Sequence, residues 1–194
     1  MTLSVDAAAL LERARHLEHA VDLYLAPGAV RTTSDRLVEI LHRAPPEALG
    51  ERALWNLLFA AGELSMRVDV YRAHELFRAA VARVKLADFP AADPRAVAIE
   101  MCFDFFFARP SHPLLPLRAT EVLGAMAALL AQGPRPAIRA AIHGLGHLVR
   151  CGGNAAWAAD AEQLLADYLA GDVGTPPDAT LASYAEVARS GSMR

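Results

Sequence analysis

The chain is poor in the residues that several classes of protein require. Its 194 residues include a single lysine, Lys85, and two cysteines, and valine and isoleucine together supply only 17. So few β-branched residues argue against an all-β fold. The two cysteines, Cys102 and Cys151, lie far apart in the sequence and do not form a disulfide framework, so they favour a reduced, cytoplasmic protein.

The chain also lacks a basic excess, because 22 acidic residues outnumber 19 basic ones and the net charge is −3. Phosphate neutralisation drives nucleic-acid binding, so no nucleic-acid partner is predicted. The N-terminus has no basic segment followed by an apolar one, which argues against a secretory signal. The longest uncharged stretch after Glu121 covers residues 122–134 and is too short to cross a bilayer, so no membrane partner is predicted.

Alanine and leucine are abundant, with 41 and 27 residues, and apolar residues recur at helical period along nearly the whole chain. We therefore predict a single all-α domain, residues 1–190, with eight or nine helices. Helices are predicted to begin after Ser4, after Asp35, at Pro46, near Asp69, at Pro94 after an Asp93 N-cap, at Leu117, at Pro136, after Asn154 and after Asp178. Gly171 and the pairs Pro27-Gly28 and Gly152-Gly153 are predicted to end helices, and the proline-rich link 109–116 is predicted to be non-helical.

Four of these helices open with a proline at near-constant spacing. Pro46, Pro94, Pro136 and Pro177 are separated by 48, 42 and 41 residues. A period of this length with two helices per unit is typical of HEAT and armadillo arrays. The units would be approximately 4–44, 46–88, 93–132 and 136–170, with a terminal helix at 177–190. The alternative is a globular bundle of helical hairpins, because proline is generally favoured in a first helical turn.

One segment resembles the second helix of a HEAT repeat. It reads Ile138-Arg139-Ala140-Ala141-Ile142-His143-Gly144-Leu145-Gly146-His147-Leu148, and such helices typically carry an apolar residue, an arginine, small residues and then Leu-Gly. The Leu-Gly pair comes one residue earlier here, and the other units share only the period. The resemblance implies a HEAT-like α-solenoid, a right-handed stack of antiparallel helical hairpins with a concave binding face. It carries over no catalytic residue.

Two carboxylates interrupt the most apolar helix. Glu100 and Asp104 are four residues apart and share a helix face, surrounded by Met101, Cys102 and four phenylalanines. Two carboxylates in a low-dielectric cleft raise each other's pKa, which is how acid–base pairs are made. The alternatives are a solvent-facing stripe or neutralisation by an arginine from a neighbouring helix.

Two histidines and a cysteine follow one another at helical spacing. His143, His147 and Cys151 lie at i, i+4 and i+8, on the helix face opposite Ile138 and Ile142. Two histidines at i and i+4 can bind one metal, but no acidic third ligand is nearby on this helix. The three residues therefore remain an alternative metal site, and no metal or other cofactor is predicted. Gly144 and Gly146 are expected to allow a close approach of a neighbouring backbone.

Aromatic side chains form the predicted binding surface. Adjacent phenylalanines cannot all point into one core, so at least one of the cluster Phe103, Phe105, Phe106 and Phe107 is expected to line a surface. The predicted binding surface consists of Phe103, Phe106, Phe107 and Trp157. The favoured function is a non-enzymatic module that binds a protein or peptide partner in a helical groove, or associates with itself. The alternative is an enzyme or small-molecule-binding protein with Glu100, Asp104, His143 and His147 in a pocket among the first, fifth and seventh predicted helices.

Overall fold

A computed structural model describes residues 2–23, 29–90, 92–109, 112–152 and 155–193. Within those ranges the protein contains helices and no strands, which confirms the all-α prediction. The α-helices are α1 (Val5–His16), α2 (Val30–Arg43), α3 (Glu51–Ser65), α4 (Val70–Lys85), α5 (Pro94–Glu100), α6 (Asp104–Phe107), α7 (Leu114–Gln132), α8 (Arg135–Gly152), α9 (Ala156–Ala170) and α10 (Ala179–Arg189). Short 3-10 turns lie at Ala20–Leu23, Pro46–Ala48 and Met101–Phe103. The last of these joins α5 to α6.

Side-chain caps begin four of the helices as the sequence predicts. The Ser4 hydroxyl accepts a hydrogen bond from the amide of Ala7 at the start of α1. At α4, α5 and α10 the carboxylates of Asp69, Asp93 and Asp178 accept hydrogen bonds from amides in the first turn of their own helix. Gly171 ends α9 in the left-handed region at φ 85°, which a glycine adopts without strain. The predicted cap Asn154 lies outside the described residues.

Three of the predicted helix starts were wrong, those of α2, α3 and α7. α2 begins at Val30 rather than after Asp35, and the Ser34 hydroxyl donates to the Val30 carbonyl 2.7 Å away instead of capping the helix. The helix predicted from Pro46 begins at Glu51, because Pro46–Ala48 forms a separate 3-10 turn and Gly50 is extended. Periodicity alone does not distinguish such a turn from the first turn of an α-helix.

The segment 109–116 is only partly non-helical. α7 begins at Leu114 and contains Pro116 in its first turn, where a missing backbone N–H needs no partner. The distortion appears instead at Arg118, at φ −135° and ψ 21°. The first helix also ends early: α1 stops at His16, and the predicted stop at residues 27–28 lies outside the described ranges.

The helices pack in two rows. α1, α3, the α5–α6 pair, α8 and α10 contact one another in that order, and α2, α4, α7 and α9 form the second row in the same way. One hydrophobic cluster runs through both rows, from Ala7 in α1 to Met193 after α10. α8 contacts helices of both rows and is buried along most of its length.

Along neighbouring helices of the first row, the residue numbers of contacting side chains increase together. On one side of α8, Arg139 meets Glu100, His143 meets Asp104 and Cys151 meets Ala108. On its other side, Arg135 meets Asp178, His143 meets Tyr184 and Arg150 meets Met193. α8 therefore runs parallel to both neighbours. Residues spaced four apart on α8 thus face residues spaced four apart on the neighbouring helix.

One described helix, α7, is long and apolar enough to cross a membrane by length and composition, with a mean hydropathy of 1.5 over its most apolar window. The buried core helix of a globular protein meets the same criterion. α7 contacts α4, α8 and α9, and its first half carries an ion pair between Arg118 and Glu121 at 2.8 Å.

Candidate metal centre

Three polar side chains line one face of α8. Arg139, His143 and His147 recur every four residues, and α5 and α6 present Glu100 and Asp104 to them at the same interval. The sequence placed His143 and His147 on the helix face opposite the apolar one. That face is buried rather than exposed to solvent, because the two side chains are only 6% and 4% exposed. The reason is that the α5–α6 segment and α10 cover it from two sides.

Glycines set the close approach of α8 to both neighbours. A Cβ on Gly144 would lie 2.7 Å from the Phe103 Cβ, and one on Gly146 would lie 3.0 Å from the Ala188 Cβ. Real Cβ atoms essentially never come within 3.0 Å of another heavy atom and rarely within 3.4 Å, so a larger residue at either position would displace its neighbour. The expected close approach of a neighbouring backbone is present at Gly146, where a Cβ would lie 3.1 Å from the Ala188 Cα, whereas Gly144 meets the Phe103 side chain. Asp104, the residue after Phe103, lies against the two histidines.

The two imidazoles converge on a single carboxylate oxygen. The Nε2 atoms of His143 and His147 each lie 2.7 Å from Oδ1 of Asp104. Neither contact has the geometry of a hydrogen bond, and all three atoms are buried without a hydrogen-bond partner in the described part of the chain. The three side chains offer ligand atoms within 4.8 Å of one another. Such a set of buried, unsatisfied polar atoms requires an explanation.

The proton on His143 can be assigned from its other contacts. The Tyr184 hydroxyl donates to Oε1 of Glu100 at 2.8 Å, and Nδ1 of His143 lies 2.5 Å from that same hydroxyl oxygen. Because the phenol has already donated its single proton, His143 must donate from Nδ1. In a neutral imidazole the lone pair is then on Nε2, facing Asp104. Two acceptors 2.7 Å apart repel each other, so either a proton on Nε2 or a bound cation must lie between them.

Glu100 anchors this chain of hydrogen bonds. Nε and Nη2 of Arg139 donate to its two carboxylate oxygens, each at 2.8 Å, and the guanidinium lies 4.7 Å from the Tyr184 ring centroid. Burial raises the pKa of Glu100, but the hydrogen bonds from Arg139 and Tyr184 lower it by more, so the pKa lies below its usual value. Burial next to this carboxylate raises the pKa of Tyr184, which keeps the phenol protonated.

Asp104 is anionic as well. In the metal-free protein, burial raises its pKa, but imidazoles that carry a proton toward the carboxylate lower it more, and the net shift is downward. An ionised carboxylate and two imidazole nitrogens form a donor set that suits a divalent transition metal. His143 also has the outer partner that metal-bound histidines usually have, since its second nitrogen donates to Tyr184.

A cavity of about 440 Å³ opens beside the far end of this hydrogen-bond chain. Glu100 and Arg139 line it together with Arg135, Val97 and Thr180. Glu100 therefore connects the cavity, through Tyr184, to His143. The buried Nε2 and Oδ1 atoms do not line the cavity.

Other predicted site residues lie elsewhere. The Cys151 thiol points to the Ala108 carbonyl at 3.8 Å, and Asp104 takes the third position beside the two histidines. The first predicted helix contributes no side chain to this network among the described residues. Its Glu12 and His16 form an exposed pair at 2.9 Å.

The rings proposed as a binding surface are mostly internal. Phe103, Phe106 and Phe107 are each at most 1% exposed, because all three pack around Phe77 in the core. Trp157 is partly buried against the same hydrophobic cluster. The phenylalanine that points away is Phe105, whose ring packs edge-on against Trp55 at 5.4 Å and Phe59 at 5.0 Å.

Sequence reasoning missed two members of buried polar networks. Tyr184 lies 84 residues from Glu100, and no local pattern links the two. His112 lies between Pro110 and Pro113 in the chain, yet its Nε2 lies 2.7 Å from the Ser65 hydroxyl. The amide of Leu114 donates to Nδ1 of His112, so Nε2 carries the proton and donates to Ser65, which donates to the Gly62 carbonyl. This pair is saturated and cannot activate the serine as a nucleophile.

Comparisons with protein-family models, with curated proteins and with solved structures find no match to this chain.

Proposed function

We propose that this protein binds one divalent transition-metal ion through Asp104 Oδ1, His143 Nε2 and His147 Nε2. The observation that carries the proposal is the convergence of these three buried atoms without hydrogen bonds among them. A bound cation removes the repulsion between the carboxylate oxygen and the imidazole lone pairs. The proposal replaces the set His143, His147 and Cys151, and it differs from the prediction that no cofactor is bound.

The donor set narrows the choice of metal. Two imidazoles and one carboxylate suit Zn²⁺ or Fe²⁺, whereas Mg²⁺ and Ca²⁺ prefer oxygen ligands alone. Three protein ligands leave at least one coordination position for water or a small molecule, unlike the four ligands of a closed structural zinc site. The site therefore fits a metal that binds an exogenous ligand, which favours the small-molecule alternative over a purely structural role.

Competition titrations would test the proposal. Protein freed of metal by a chelator is titrated with Zn²⁺ in the presence of a chromophoric chelator, and the stoichiometry expected for the wild type is one ion per chain. Asp104→Asn and His147→Ala each lower the affinity by about 100-fold or more, since a lost ligand costs more than a lost outer partner. His16→Ala is the control, because it removes an exposed histidine that pairs with Glu12 at i, i+4, and it is expected to leave the Zn²⁺ affinity unchanged.

Helical circular dichroism of each variant separates loss of the site from loss of the fold. Asp104→Asn preserves the shape of the side chain, so its spectrum is expected to match that of the wild type. Wild-type protein that binds Zn²⁺ no more tightly than Asp104→Asn would contradict the proposal.

A second candidate, which we propose on a different observation, is a HEAT-like stack that binds a protein or peptide partner. The order of contacts within each row, the parallel register around α8 and the proline-led units support it. Because Phe103, Phe106 and Phe107 are buried, a partner would meet other apolar side chains, of which Tyr71, Val97 and Leu117 are the most exposed large ones after Val5.

Hydrogen exchange followed along the intact chain tests the stack. In such an array the terminal units open at a lower free energy than the central ones, because each unit is stabilised mainly by its neighbours. A single opening free energy for all slow amides would contradict it. Pull-down with Tyr71→Ser, Val97→Ser and Leu117→Ser tests the partner surface, and equal recovery of the partner by every variant would exclude these positions.

A further inference from the structure

A second cavity, remote from the metal ligands, lies over α4 between α2 and α7. Its volume is about 530 Å³, and its apolar lining comes from Phe77, Val81 and Ala125. α4 contacts α2 on one side and α7 on the other, so the cavity lies between neighbours in the second row of helices.

Cationic side chains surround this apolar floor. His74, Arg78 and Lys85 share one face of α4 because they lie four and seven residues apart, and His42 reaches the cavity from α2. Arg78 and Lys85 form no ion pair or hydrogen bond with any residue in the described ranges. Glu121 is the one acidic residue in the lining, and it is paired with Arg118 at 2.8 Å. The local charge is therefore positive in a chain whose net charge is −3.

Burial and nearby arginines lower the pKa of both histidines in the lining. Burial lowers the pKa of His42, and the charges of Arg78, Arg83 and Arg43 lower it further. Burial and the charge of Arg118 lower the pKa of His74, Glu121 and Glu75 oppose this shift, Arg78 adds to it, and the net shift is downward. The charges of Arg78 and Lys85, which are unpaired in the described part of the chain, lie beside an open apolar hollow and form the electrostatic environment that an anion with an apolar portion would stabilise.

We propose that this cavity binds a phosphate-bearing small molecule, a phosphomonoester whose organic part packs on Phe77, Val81 and Ala125. Arg78 and Lys85 supply two full charges for a dianion, and the imidazoles of His42 and His74 supply hydrogen bonds to its remaining oxygens. A singly charged carboxylate would use only part of this set. The site shares no residue with the metal ligands, so either proposal can fail without the other.

Calorimetric titration with phenyl phosphate, inorganic phosphate and benzoate tests this site. Phenyl phosphate is expected to bind most tightly, inorganic phosphate more weakly because it lacks the apolar part, and benzoate more weakly because it carries one charge. Arg78→Ala and Lys85→Ala are each expected to reduce the affinity for phenyl phosphate by roughly 10-fold or more. Both residues are exposed, so the fold does not depend on them.

Two controls make the result specific. Arg52→Ala removes another exposed arginine that has no ion pair in the described chain, and it should leave phenyl phosphate binding unchanged. Asp104→Asn should also leave it unchanged, which excludes binding of the phosphate at the metal. Absence of binding to the wild type, an equal loss in Arg52→Ala, or tighter binding of benzoate than of phenyl phosphate would overturn the proposal.

Discussion

Gly144 packs against Phe103 so closely that a methyl group on the glycine would come within 2.7 Å of the phenylalanine Cβ. This contact sets the spacing between α8 and the short 3-10 turn before α6. Because His143 precedes the glycine and Asp104 follows the phenylalanine, the same contact sets the distance between the imidazole and the carboxylate.

Gly144→Ala is expected to separate the two segments. Overpacking of this kind costs about 1–3 kcal/mol in the free energy of unfolding, and the metal affinity should fall with it. Gly124→Ala in α7 is the matched control, because a methyl group on Gly124 would meet no described atom within 4 Å outside its own turn of helix. That variant should be up to about 1 kcal/mol more stable, as expected for alanine in a helix. Chemical denaturation measures both, and equal effects would contradict the packing argument.

Tyr184→Phe is expected to lower metal affinity while the protein stays folded. The variant keeps the ring under the Arg139 guanidinium but removes the hydroxyl that joins His143 to Glu100. Loss of such an outer partner typically costs roughly 10- to 100-fold in metal affinity. Tyr71→Phe, at a side chain that is 70% exposed, provides the control for the titration. Unchanged affinity in Tyr184→Phe would show that the hydroxyl does not orient His143.

Arg83→Met is expected to destabilise the N-terminal half of the protein. The buried Arg83 guanidinium donates to the carbonyls of Ile40, Leu41 and Ala44 at the C-terminal end of α2, where a cation is favourable. Methionine preserves the bulk and removes the donor of the Leu41 and Ala44 carbonyls, while the Ile40 carbonyl still accepts from the Ala44 amide, and the loss should cost about 2–3 kcal/mol. Arg52→Met at an exposed position should change stability by less than about 0.5 kcal/mol. Similar unfolding midpoints for the two variants would refute the capping role.

His112 is expected to make the fold sensitive to acid. Burial lowers its pKa from 6.5 to about 4, so between these values the unfolded chain binds a proton that the folded chain excludes. Its contribution is fully present above pH 6.5 and is lost as the pH falls toward 4, by on the order of 3 kcal/mol. His112→Gln should show a shallower loss of stability over this range. Parallel curves for variant and wild type would contradict the assignment.

Local sequence signals predicted much of the helical framework. Ser4, Asp69, Asp93 and Asp178 mark helix starts because an N-cap acts on amides only two or three residues away. The same locality explains the failure at Pro46, where a 3-10 turn and an α-helical turn favour the same residues.

The candidate site was predicted only in part. Glu100, Asp104, His143 and His147 were conspicuous as polar residues in apolar helices, but the sequence could not show that Asp104 faces both histidines. That depends on the parallel register of α6 and α8, which long-range packing at Gly144 determines. Tyr184 gave no local signal because its role exists only after α10 packs on α8.

Anomalous diffraction from crystals grown with Zn²⁺ tests the metal site most directly. Data collected on both sides of the zinc absorption edge should give one strong peak per chain, about 2.0–2.2 Å from Nε2 of His143, Nε2 of His147 and a carboxylate oxygen of Asp104. Imidazole-to-carboxylate hydrogen bonds with no anomalous peak between these three side chains would contradict the site.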